Sequence, residues 1–102
     1  MILIVFRSRL RPENIDAYNE MSEAMDALAA TMPGYISART FVADDDERVT
    51  IVEFETEADV ARWREHPLHR DAQELGRKQF YSEYRVQVAE CLRDYDFKWE
   101  AD

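Results

Sequence analysis

Glycine is almost missing from this 102-residue chain: Gly34 and Gly76 are the only two, beside one cysteine, three prolines and two lysines against eleven arginines. So few glycines exclude a phosphate-cradling loop, a dinucleotide fingerprint and a G-x-S-x-G nucleophile elbow, all of which need clustered glycines for tight turns and close backbone approach. The lone Cys91 makes no intrachain disulfide. The longest clean apolar run, Met1 to Phe6, falls far short of the about 20 residues that span a bilayer. Arg7, Arg9 and Arg11 follow that run, whereas a secretory leader carries its positive charge ahead of the apolar segment, so the expected location is cytoplasmic. Basic charge is also in deficit. With 22 acidic against 13 basic side chains and a net charge of −9, the chain lacks the cationic excess that neutralises phosphates, and neither nucleic acid nor a membrane is an expected partner.

What is present suffices for a small core. Apolar residues make up 46% of the chain and twelve residues are aromatic, a composition that folds rather than stays disordered. The length corresponds to one domain, 1–102, burying about 60 to 68% of its unfolded surface.

Periodicity divides the chain into six main elements. Met1 to Leu10 alternates as a strand, with Ile2, Ile4, Phe6, Ser8 and Leu10 on one face and Leu3, Val5, Arg7 and Arg9 on the other. Pro12, placed in a first helical turn, precedes Ile15, Tyr18, Met21, Met25, Leu28 and Met32 at steps of three and four, which predicts an amphipathic helix stopped by Pro33-Gly34. Tyr35–Ala43 and Val49–Glu55 read as a hairpin around the polar loop 44–48, which is expected to be solvated. An EF-hand reading of that loop fails, because Arg48 and Val49 stand where an oxygen ligand and glycine are required. Thr56 and Asp59 form a capping-box pattern opening a second helix, and Pro67 splits it from a third helical piece over about 68–79. From Phe80 the pattern is extended, and its apolar parity switches near 89–92, which predicts a bulge or departure from the sheet. Residues from about 93 to 102, with Tyr95, Phe97 and Trp99 alternating with charges, are expected to form an arm on a partner subunit or to fold back on their own chain.

The order strand, helix, strand, strand, helix, strand is an α+β class pattern, the ferredoxin-like βαββαβ unit. Both helices then cover one sheet face, so the other must be polar or buried by pairing, and a face-to-face homodimer is expected.

Trp63-x-x-His66-Pro67-x-His69-x-x-Ala72-Gln73-x-x-Gly76, followed by Phe80-Tyr81-x-x-Tyr84-x-x-Gln87-Val88, resembles the antibiotic biosynthesis monooxygenase family. The likeness extends through Met32-Pro33-Gly34-Tyr35, Phe41 and Val52-Glu53-Phe54, nearly the whole domain short of its last ten or so residues. It implies a ferredoxin-like protomer forming a dimeric α+β barrel, with a pocket between helices and sheet. Characterised members oxidise anthrones or quinols to quinones with dioxygen and without metal or flavin, so no cofactor is expected and the implied partners are a small aromatic substrate and dioxygen. A haem-degrading branch uses an asparagine on the first strand, a tryptophan on the second helix and an iron-ligating histidine. Here the tryptophan corresponds to Trp63, but Ser8 stands at the asparagine position and Gln73 at that of the histidine.

Among candidate site residues, Trp63 is either core or a stacking surface for a flat phenol. His66 and His69 are the only imidazoles, the side chain whose pKa near 6.5 suits proton abstraction at neutral pH. His69 is the preferred base, lying with Gln73, Gly76 and Phe80 on a boundary stripe. His66, directly before Pro67, caps the next helix or faces water, and Pro67 breaks the geometry a two-histidine metal site would need. Arg85 is either solvated, paired with Glu53 or Glu55 across the sheet, or directed at a bound anion, where it would steady developing oxyanion charge. Tyr84, Phe80, Gln73, His66 and Ser8 are pocket candidates. The leading reading is a cofactor-independent monooxygenase with His69, Trp63 and Arg85 in catalysis. The alternatives are a non-catalytic ligand-binding or dimerisation module of the same fold and a haem-degrading enzyme.

Overall fold

The computed structural model describes residues 1–101. Strand β1 (Ile2–Leu10), helix α1 (Ile15–Ala29), strands β2 (Tyr35–Val42) and β3 (Arg48–Phe54), helices α2 (Glu57–Glu65) and α3 (Pro67–Leu75), a π-helical turn (Gly76–Phe80) and strand β4 (Tyr81–Glu90) follow in that order. The four strands form one antiparallel sheet in the order β2-β3-β1-β4, the ferredoxin-like arrangement expected from the sequence.

Register decides which side chains share a face. Across β3, β1 and β4 the rows are Phe54-Ile2-Glu90, Val52-Ile4-Val88, Thr50-Phe6-Val86 and Arg48-Ser8-Tyr84, all pointing toward the helices because strand side chains alternate. The helix side is therefore apolar at the start of β1 and polar at its end. Over the apolar end lies the core: Ala29, Phe54, Val60 and Trp63 are buried together, with Ile2, Ile4, Met25, Leu28, Met32, Tyr35 and Val52 packed around them. The opposite face carries Leu3, Val5, Val49 and Ile51, all half-buried, beside the exposed Arg39 and Phe41.

Local signals account for the helix ends. Thr56 caps α2 as expected, its hydroxyl accepting from the Asp59 amide and donating to the Asp59 carboxylate, which also takes the Arg62 guanidinium. Those bonds hold the Asp59 carboxyl below the usual carboxylate range. Gly34 makes this possible. Its φ is +79°, and a Cβ there would lie 2.0 Å from Asp59 Oδ2, so only glycine permits the approach.

Three expectations are corrected and a fourth is resolved. Pro12 lies outside α1, which opens after Asn14 in a left-handed conformation (φ 69°) whose side chain reaches instead to the Gln79 carbonyl. The third helical piece is not uniformly α-helical to residue 79: it widens into the π turn, where the Tyr81 ring sits 2.5 Å from where a Gly76 Cβ would be. The bulge lies opposite Arg9 and Leu10, at Ser82, and brings Tyr81 and Tyr84 to the same face. At 89–92 the parity switch marks the other expected outcome, departure from the sheet: β4 ends at Glu90, beyond which residues 91–101 have no regular secondary structure. Finally, the acidic hairpin loop is not simply solvated: Glu47 binds Arg7 and Asp45 binds Arg9, tying the loop to β1.

Candidate functional site

The residues singled out from the sequence separate into two groups at opposite ends of the helix side, with one member on the wrong face altogether. At the apolar end, α2 carries Trp63 and α3 carries His69, joined by His66 and Pro67. Trp63 is only 6% exposed and belongs to the core cluster. The His69 imidazole stacks on a face of it, ring centroids 3.9 Å apart and 11° from parallel. The substrate-stacking role is therefore blocked as the chain stands, since a core and a histidine already occupy the indole.

His69 is in turn fixed by Trp63. Its Nδ1 lies 3.0 Å from the Trp63 carbonyl oxygen. A carbonyl only accepts, so Nδ1 carries the proton and Nε2 keeps its lone pair. Burial lowers the His69 pKa, outweighing the carbonyl that raises it, and nearby His66 lowers it further. At neutral pH His69 is a neutral imidazole with one basic nitrogen held in orientation. His66 has a different employment: its Nδ1 accepts the Leu68 amide at 3.1 Å and caps α3, which removes that nitrogen from substrate binding. Gln73 is half-buried and lines a shallow surface depression with Arg64, Glu65 and Arg70.

At the polar end, Ser8 is 2% exposed and sits between Arg48 and Tyr84 in one row across three strands. Tyr18 of α1 covers this row, meeting Phe80 edge-on at 5.9 Å and Tyr81 at 5.8 Å. Phe6 touches Tyr81 and Tyr84 at 5.5 and 5.6 Å. Arg11 anchors the assembly by donating to the carbonyls of Arg77, Lys78 and Tyr81, which an ending helix leaves unpaired. Burial, with Tyr18 close by, pushes the Tyr81 phenol well above the ordinary tyrosine range, so it stays protonated. Beyond this cluster Tyr84, Val86 and Val88 are 41, 49 and 51% exposed on the helix side, leaving an open apolar floor next to Phe6.

Arg85 does not join either group. It pairs with Arg7 across β1 and β4, on the face away from the helices, so it cannot reach a ligand held with His69 or Ser8. Nor does it meet Glu53 or Glu55, because β1 intervenes between β4 and β3. The residue that sequence reasoning missed is Arg48. The sequence pattern puts it in the hairpin loop, yet it begins β3 and shares the parity of Thr50, Val52 and Phe54, the signal that it faces the helices.

Comparison with known proteins agrees with the fold. Residues 1–75 match the family model described as antibiotic biosynthesis monooxygenase. The chain is 32% identical over 94 residues to YqjZ of Bacillus subtilis (strain 168), an uncharacterized protein, covering 92% of this chain and 82% of that one. Its fold superimposes on that of Rv0793 from Mycobacterium tuberculosis with a TM-score of 0.82 at 17% identity, covering 93% of this chain and 98% of that one. It also superimposes on SnoaB, a cofactor-independent oxygenase from Streptomyces nogalater, with a TM-score of 0.78 at 13% identity, covering 91% and 94%. No helix among the described residues is long and apolar enough to cross a membrane. The helix-side site with its fixed, neutral histidine thus sits on a chain that belongs to the antibiotic biosynthesis monooxygenase family.

Proposed function

We propose that this protein is a cytoplasmic, homodimeric, cofactor-independent monooxygenase that oxidises a small electron-rich aromatic, a quinol or an anthrone, with dioxygen. The observation that carries the reading is His69: a half-buried, neutral imidazole whose Nδ1 is occupied by the Trp63 carbonyl and whose basic Nε2 has no hydrogen-bond partner among the described residues. Likeness to a cofactor-independent oxygenase supports the same chemistry. For an anthrone, Nε2 removes a ring-methylene proton; the resulting anion passes one electron to dioxygen, and the radical pair joins to form a C–O bond. The peroxide takes the proton back, and loss of water leaves the new carbonyl, so one oxygen atom ends in the quinone and one in water.

The test is anaerobic mixing with anthrone or reduced menadione followed by admission of oxygen. Oxidation at least about tenfold faster than in buffer is expected; equal rates with both compounds overturn the reading. The packed Trp63 favours a second reading, a non-catalytic ligand-binding or dimerisation module. A Trp99→Phe background isolates Trp63 emission: absence of quenching by either compound, together with absence of turnover, selects that module.

The dimer has its own prediction. Leu92, Tyr95, Phe97 and Trp99 are 76 to 86% exposed in the single chain, an apolar area that a monomer rarely leaves in water. We infer that residues 93–102, of which Asp102 lies outside the described residues, form an arm on the partner. A chain ending at Leu92 is expected to elute at half the size of the full-length protein; unchanged elution removes the arm from the interface.

A further inference from the structure

Arg48 is half-buried, and among the described residues its Nε is the one buried side-chain nitrogen or oxygen without a hydrogen-bond partner. None of the ion pairs in the described residues includes it, although the chain has 22 carboxylates. The nearest candidates are spent on the other face, Glu47 on Arg7 and Asp45 on Arg9. What Arg48 has instead is an aromatic wall: its guanidinium carbon lies 5.4 Å from the centre of the Tyr18 ring. A cationic donor buried without a partner is costly, and native proteins complete such groups with water or with a ligand.

The row containing Arg48 has the composition of a seat for an acidic group. Ser8, the smallest side chain of the row, separates Arg48 from Tyr84. A second guanidinium, Arg77, donates to the Tyr84 hydroxyl at 3.3 Å from the far side. Tyr18, Tyr81 and Phe6 supply ring faces and edges around it, and the uncovered floor of β4 opens beside Tyr84. A guanidinium recognises a carboxylate or phenolate through charge-assisted N–H donors, while the rings accept a flat apolar body.

We propose that the Arg48-Ser8-Tyr84 row binds the acidic oxygen of an aromatic anion, an aryl carboxylate or phenolate, with Arg48 Nε as the selective donor. This assignment does not depend on oxygenase turnover and is read by binding alone. The probes are 2-naphthoate and its neutral isostere 2-naphthamide, titrated calorimetrically into the full-length protein. Naphthoate is expected to bind about tenfold to a hundredfold more tightly, the range of a hydrogen bond to a charged group. Arg48→Met is expected to erase that preference while leaving naphthamide binding unchanged, and Arg48→Lys, which keeps the charge without the Nε donor, to retain only part of it. Because the Met variant removes an unpartnered buried donor, its melting temperature is expected to be equal or higher. Equal affinity for both probes, no naphthoate binding at millimolar concentration, or a preference that survives Arg48→Met overturns the proposal. A Met variant that fails to fold makes Arg48 structural and overturns it as well.

Discussion

Trp63→Ala is expected to destabilise the protein by about 3 to 5 kcal/mol, the cost of truncating a large aromatic in a packed core. Against a domain stability of about 5 to 15 kcal/mol that is a large share. At about 4 to 8 °C per kcal/mol for a domain of this size, thermal unfolding followed by circular dichroism is expected to drop by at least about 12 °C. The reason lies in the neighbours. Ala29, Phe54 and Val60 close on the indole, and the His69 ring lies flat on it, so removal leaves a cavity bounded by both sheet and helices and frees the imidazole. Trp63→Phe keeps most of the apolar volume and is expected to cost less than the alanine change. If Trp63 were instead a stacking surface with room above it, alanine would leave the melting temperature nearly unchanged and reduce only ligand affinity. Loss of activity in a Trp63 variant is therefore to be read alongside its stability.

His69→Ala is expected to lower the rate of aromatic oxidation by about 10²- to 10⁴-fold, the usual contribution of a positioned general base. The side chain is only half-buried, so the variant folds. The pH dependence supplies a readout that a structural role would not move. A base acts when deprotonated, and burial lowers the His69 pKa from 6.5, so the wild-type rate is expected to rise with pH, with its midpoint below 6.5 and a plateau at neutrality. The same shift has a consequence for stability. The unfolded chain binds the proton more readily, so the stabilising contribution of neutral His69 is present above 6.5 and is lost as pH falls from there through the lower folded-state value. His69→Gln is expected to flatten both curves over that interval. A rate that stays at the wild-type level in His69→Ala removes the base and with it the oxygenase scheme.

Several features were legible in the chain because they are local. Alternation in β1 placed Ile2, Ile4, Phe6 and Ser8 on one face, and the structure turns that face toward the helices. Thr56 with Asp59, and His66 before Pro67, marked two helix starts through capping chemistry that needs only neighbouring backbone positions. Sequence reasoning went astray where a distant element decides. Arg85 was readable as lying opposite Val86 and Val88, but only the strand order shows that its face is turned from His69 and that its cross-strand neighbour is Arg7. The hairpin carboxylates looked solvated because their partners, Arg7 and Arg9, lie about forty residues earlier in the chain, as the 40-residue separation of Glu47 from Arg7 illustrates.

The scarcity of glycine carries the same division. Sequence alone determined that phosphate loops and nucleophile elbows are absent, that the βαββαβ pattern holds, and that Pro33-Gly34 ends the first helix, since composition, period and backbone freedom are properties of short stretches. Only the tertiary structure decided that Gly34 is indispensable because Asp59 presses against it, that Trp63 is core with His69 stacked upon it, and that Arg48 lies half-buried in a row with Ser8 and Tyr84. Each of those facts is a contact between residues far apart in sequence. Register and helix placement create it, and neither is written in any single segment.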